Sequence, residues 1–246
     1  MPKLVKEFFL AAGFLTRWAP AMIADNDELG RSMRWFPVVG LVLGIVLVLP
    51  LVLGLAAGRP WVQAWIWLGF AMYITRGLHW DGWADLGDAW GSGARGERFW
   101  EVIKDSRMGA FGGMGLFMGL AGCLIMVQGV VEAGQWGMLI WAPVLGRSAA
   151  VLLAWQARDL HRPGLAGLFL NALTWQSLAF VTSQAVVFGL FFVPWSMLLL
   201  AAGLCLGGIL VLVRIARAQG GLNGDFLGTA IVWGEMSVFA AWMIGG

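Results

Sequence analysis

Charge is scarce in this chain: of 246 residues only 12% are Asp, Glu, Lys or Arg, while 60% are hydrophobic. That scarcity leaves no room for a second, soluble core, and a formal net charge of +2 gives no sign of nucleic-acid binding. Cysteine is nearly absent. Cys123 and Cys205 each lie within an apolar run, without CxxC or Cys/His spacing, which argues against zinc and redox chemistry and marks both as packed thiols. No internal repeat is evident. Trp, in contrast, is abundant, with 16 copies set mostly near the ends of the apolar runs, as expected for anchors at the headgroup level.

Several windows exceed the roughly 18 apolar residues needed to cross about 30 Å of hydrocarbon, which makes the chain an integral membrane protein. The expected spans are Phe36–Ala57, Trp61–Thr75, Met108–Val131, Trp136–Trp155, Ser177–Val193, Trp195–Val213 and Phe226–Ile244. Gly40 and Gly44 in the first are expected to let a neighbouring helix approach closely. The N-terminal stretch, whose apolar run Arg17 interrupts, is expected to be retained as an interfacial or re-entrant helix. The fold class is therefore all-α: a polytopic membrane helix bundle of about seven spans, forming one integral membrane domain over 1–246. With seven spans, Lys and Arg gather on one face and only Arg59 stands on the other. The crowded face is expected to be cytoplasmic.

Against that apolar background, segment 76–112 holds six of the fourteen acidic residues: Asp81, Asp85, Asp88, Glu97, Glu101 and Asp105. The first three are spaced i, i+4 and i+7, so a helix places them on one stripe, where like charges repel unless a cation sits among them. Gly82, Gly87 and Gly91 weaken that helix by about 1 kcal/mol each relative to Ala, and are expected to admit a ligand or phosphate. Oxygen-only ligands suit Mg²⁺, with Mn²⁺ as the alternative. Segment 96–107 is expected as an amphipathic helix burying Phe99, Trp100 and Ile103 and ending in Lys104-Asp105-Ser106-Arg107. Lys104 and Arg107 suit phosphate, and a helix-turn-helix returns Asp105 to the same cation. Carboxylates, a divalent metal, glycines and flanking bases are the parts of a phosphoryl-transfer site. The bland alternative is a solvated face of a loop.

Outside this segment, Asp225 stands among Gly220, Gly221, Gly224 and Gly228 at the start of the last span. Its readings are a ligand for ribose hydroxyls, guanine or a second metal, and a plain helix N-cap. Arg147 and Glu235 lie deeper, where an ionisable group has a partner in the protein interior; they are expected to be linked to each other, or Arg147 to one of the aspartates. Arg17 and Arg34 are candidates for the rim of the site, and His79 reads either as packed and neutral or as part of it.

The string GLHWDGWADLGDAWG followed by ERFWEVIKDSRMGAFG resembles the signature of the cobalamin synthase family, the adenosylcobinamide-GDP ribazoletransferases. Gly220 to Gly228, reading GGLNGDFLG, is similar to that family's GGxTGDxLG motif with Asn223 in place of Thr, and FLTRWAP and WFPVVG also look like family segments. The resemblance spans nearly the whole chain. It implies an enzyme of the bacterial inner membrane, its active site facing the cytoplasm, that joins α-ribazole or its 5′-phosphate to adenosylcobinamide-GDP with release of GMP and help from Mg²⁺. It implies Asp81, Asp85, Asp88 and Asp105 as metal ligands, with Asp81, Asp85 and Asp105 catalytic and Asp105 favoured as base. His79, Lys104, Ser106, Arg107, Gly109, Arg147, Asn223 and Asp225 are then the substrate-binding set. Membrane lipid is the surrounding partner, and a homo-oligomer is left open. A CDP-alcohol phosphotransferase and an ion-coupled transporter are the alternatives. The first has a DxxDG motif with an AR pair that this chain lacks, and transporter sites lie at midspan in broken helices.

Overall fold

The structure, a computed structural model, describes residues 2–20, 22–160, 162 and 173–246, and among these it is helical throughout. The polar stretch expected between Gln156 and Trp175 lies mostly outside the described residues. The helices are α1 (Lys3–Leu15), α2 (Asn26–Ser32), α3 (Phe36–Val52), α4 (Pro60–Ile74), α5 (Leu78–Gly91) and α6 (Glu97–Lys104). They continue as α7 (Ala110–Glu132), α8 (Trp136–Gln156), α9 (Trp175–Phe192), α10 (Trp195–Gln219) and α11 (Gly224–Gly245).

Six described helical segments are long and apolar enough to cross a membrane: Asp27–Val52, which includes α3, and α7 to α11. The exception among the expected spans is α4. Its 15 residues reach only roughly 22 Å at 1.5 Å per residue, short of the hydrocarbon thickness. The first span also stops before Ala57, because Gly54, Ala56 and Gly58 adopt positive φ and turn the chain. By contrast, α10 runs on past Val213 through Arg214 and Arg217 until Gly220, in the left-handed region, ends it. Basic residues in a last turn complement the helix dipole, so their charge did not end the helix.

The centre of the bundle is α8, buried on nearly every side, with α11 and α3 packed along it. The α3 contact requires glycine: a Cβ on Gly44 would stand 2.8 Å from the Ile140 Cα. Arg147 of α8 is fully buried and pairs with Glu235 of α11. The expected interior link is therefore this pair. Both cysteines are buried, as packed thiols.

At the N-terminus, Glu7 accepts from Arg31 (3.1 Å) and Arg34, and Lys6 pairs with Glu28 (2.6 Å), fastening α1 to α2. Burial pushes the Glu7 carboxyl up, but the two guanidiniums outweigh it and hold the group below its ordinary range. Arg34 is thus engaged here, and Arg17 stacks over Tyr73 at 3.9 Å, so neither rims the acidic cluster.

Candidate active site

The acidic stripe forms as a helix, α5, entered through a left-handed turn at Arg76 (φ 59°) and Gly77 (φ 68°). Arg76 reaches back to donate to the carbonyls of Gly13 (3.2 Å) and Phe14 (3.0 Å), so a cation closes the C-terminal end of α1. Gly82 and Gly91 of α5 admit neighbouring segments closely, and Gly87 and Gly91 also line a cleft. A Cβ on Gly82 would lie 2.8 Å from both Cα and O of Asp225, and one on Gly91 would lie 2.7 Å from Cβ of Phe111. Gly87 faces the start of α7 at Gly112. A hydrogen bond from Thr229 Oγ1 to the Gly82 carbonyl (3.1 Å) reinforces the α5–α11 crossing.

That crossing decides which carboxylates meet. Asp85 is half-buried, and its carboxyl is pushed up to about 7, first by burial and then by the negative charges of Asp81, Asp225 and Asp88. Asp225 thereby joins the cluster across the helix contact, with Asn223 Nδ2 donating to its Oδ2 at 2.6 Å. Asp81 is exposed beside it.

Asp88 has another role. It is buried, accepting from the backbone N–H of Gly109 (2.7 Å) and of Gly112 (2.7 Å) at the start of α7. A Cβ on either glycine would collide with its carboxylate. One turn beyond Asp85 on the stripe, Asp88 meets the N-terminus of α7, and unpaired helix N–H groups are natural carboxylate ligands.

Asp105 does not return to the cluster. It ends α6 and accepts from Arg107 three times, from the backbone N–H (3.0 Å), Nε (3.0 Å) and Nη2 (2.8 Å). These bonds hold its carboxyl down at about 2, which makes it a poor proton acceptor at neutral pH. The expected set of Asp81, Asp85, Asp88 and Asp105 is therefore not assembled, and among the described residues no three His, Cys, Asp or Glu side chains stand ready to hold a metal ion. The donor chemistry nevertheless fits a hard cation, since Asp81, Asp85 and Asp225 are all oxygen donors in mutual electrostatic reach.

The rest of the expected set lies on α6, on the run that follows it and at the start of α5. Helix α6 buries Phe99, Trp100 and Ile103 as expected, and docks on the loop before α11. Trp100 Nε1 donates to the Gln219 carbonyl (3.0 Å), and the Phe99 and Trp100 rings lie 6.3 and 6.2 Å from that of Phe226. Lys104, Ser106, Arg107 and Gly109 follow as an exposed run leading into α7. His79 is buried, held well below its ordinary pKa by burial and by the charges of Arg147 and Arg76, and so is neutral.

Arg162 was not anticipated. Its backbone N–H donates to the Leu222 carbonyl (3.2 Å), and its guanidinium lies 4.4 Å from the Trp100 ring centroid. No local signal marks it, because its partners come from distant parts of the chain. A larger cleft of about 650 Å³ runs between α5, α7, α10 and α11, with Trp83, Trp90 and Trp233 in its wall.

Residues 7–243 match the family described as cobalamin-5-phosphate synthase. An adenosylcobinamide-GDP ribazoletransferase of Nitratidesulfovibrio vulgaris (strain DSM 19637 / Miyazaki F) is 45% identical over 228 residues, covering 93% of this chain and 91% of that protein. One from Brevibacillus brevis is 34% identical over 251 residues, covering 94% and 95%, and one from Citrobacter koseri is 31% identical over 232, covering 90% of each. No solved structure matches significantly. With the match running from α1 to α11, the chain belongs to the cobalamin-5-phosphate synthase family.

Proposed function

We propose that this enzyme of cobalamin synthesis transfers α-ribazole, or its 5′-phosphate, onto adenosylcobinamide-GDP. The observation that carries the reading is the convergence of Asp81, Asp85 and Asp225 where α5 crosses α11, in a chain whose relatives bear that activity by name. A ribose hydroxyl of α-ribazole forms a bond to the phosphorus that carries cobinamide. The bond from that phosphorus to the GMP oxygen breaks, and GMP leaves as the phosphate anion. Asp81 and Asp225 would hold Mg²⁺, which when bound supplies neutralisation of the diphosphate charge. Asp85 accepts the hydroxyl proton, its carboxyl standing near neutrality as a general base requires. Lys104, Ser106 and Arg107, exposed in the run before α7, would bind phosphate oxygens, whereas the N–H of Gly109 is taken by Asp88. The site faces the cytoplasm of a bacterial inner membrane, a reading supported by the nucleotide-activated substrate and, with α4 counted as a short seventh span, by the Lys and Arg asymmetry. Purified protein given adenosylcobinamide-GDP, α-ribazole and Mg²⁺ releases GMP and forms adenosylcobalamin by mass analysis. Absence of that product, or undiminished turnover in EDTA or in Asp85→Asn, refutes the assignment.

A further inference from the structure

On the other side of α11 from the broad cleft, a separate cavity of about 250 Å³ opens at Asp225. Its walls are apolar: Phe14 of α1, Phe36 of α3, Ala150 of α8 and Ile231 of α11. The Phe14 and Phe36 rings lie parallel, 6.1 Å apart and inclined by 18°. The polar groups come from Asp225, Asn223 and Arg162, and from His79, whose buried Nε2 has no partner among the described residues. Asn223 gives its Nδ2 to Asp225, but its buried Oδ1 has no partner among the described residues. The shape is thus a flat apolar chamber with a polar end that belongs to the carboxylate cluster.

Resting on the function proposed above, we infer that this chamber receives the heterocycle of the acceptor nucleoside and sets which base the enzyme accepts. The volume suits an aromatic bicycle and excludes a corrin macrocycle. The polarity separates the acceptor's bicycle from the donor's two purines, guanine and the adenine of its adenosyl group. Both purines carry hydrogen-bonding groups around their edges, and apolar walls would leave most of them unpaired. An N-ribosylated dialkylbenzimidazole has one ring nitrogen and two methyl groups, which these walls match. With the base inside, the ribose lies at the polar end. There the unpartnered Asn223 Oδ1 accepts from a hydroxyl, and the attacking oxygen stands beside Asp225 and hence near Asp85.

Ala150→Leu fills the chamber from α8, away from every residue assigned to catalysis. Steady-state kinetics with both substrates varied would show KM for α-ribazole rising on the order of tenfold or more, as for one misplaced hydrocarbon group in an apolar pocket. KM for adenosylcobinamide-GDP would hold, and the α-riboside of unsubstituted benzimidazole, smaller by two methyls, would lose less. Ile231→Ala widens the same chamber, so the ratio of kcat/KM for the two ribosides moves the opposite way; this variant decides the matter if the leucine does not fold. Unchanged riboside selectivity in a folded variant, or a rise in KM for adenosylcobinamide-GDP instead, overturns the inference while the transferase reading stands. Wild-type protein that forms no product removes the reading and the inference with it.

Discussion

Replacing Asp88 with asparagine separates the two roles open to this carboxylate. In the structure it takes the N–H groups of Gly109 and Gly112 at 2.7 Å each, so an amide of the same shape keeps one acceptor and turns its NH₂ toward the other donor. Losing a hydrogen bond to a charged group in a buried place costs about 1.5–3 kcal/mol. Removing a negative charge from a helix N-terminus adds about 0.3–1 kcal/mol. Asp88→Asn should therefore cost about 2–4 kcal/mol, which for a chain of this size lowers Tm by roughly 5–15 °C. The Mg²⁺ concentration for half-maximal turnover should stay within about twofold of wild type, because the carboxylate is not among those that would hold the cation. Thermal unfolding in detergent micelles and a Mg²⁺ titration of GMP release measure both quantities on one preparation. An unchanged Tm with a Mg²⁺ requirement raised about tenfold or more would refute the clamp and restore Asp88 as a ligand.

Three further outcomes follow from the same contacts. Asp85 is raised in the folded state to about 7 from an ordinary value of 3.8, so between those limits the native state binds more protons than the unfolded one. In EDTA, the contribution of Asp85 to stability should thus be greatest below the lower limit and fall as pH rises toward 7; it is read as the difference between wild type and Asp85→Asn in a Tm-against-pH series, and Mg²⁺ should move it to lower pH. Glu235→Gln strands the buried Arg147 and should cost about 3–5 kcal/mol in thermal unfolding, whereas the double change Arg147→Met with Glu235→Leu should recover most of it. Gly82→Ala puts a methyl 2.8 Å from the Asp225 backbone and must part α5 from α11. Turnover should then drop on the order of a hundredfold, as for a displacement of about 1 Å between catalytic groups, with α-helical circular dichroism retained.

What was legible in the sequence, and what was not, divides by the range of the interaction. The apolar spans other than α4, the helix carrying the acidic stripe and the buried face of Phe99, Trp100 and Ile103 all follow from local periodicity, and each formed. Membership of the stripe did not decide function, because carboxylates on one helical line meet different neighbours along it. Asp85 meets α11, and Asp88 meets the start of α7. A local signal for the second was present: an aspartate facing a Gly-x-x-Gly start leaves room for its oxygens against bare backbone N–H groups. Asp105 had a local signal too, since Arg107 two residues on can fold over it and claim both oxygens. What no local pattern carried was the substitution of Asp225 for Asp105. It depends on α11 lying against Gly82, a contact between distant segments that only the packing of α5 on α11 creates. The same crossing opens the apolar chamber on one side of Asp225 and gathers the acidic cluster on the other. On the function proposed, glycine at position 82 would act on catalysis without touching substrate, because it sets the separation between α5, which carries Asp85, and the start of α11, which carries Asp225.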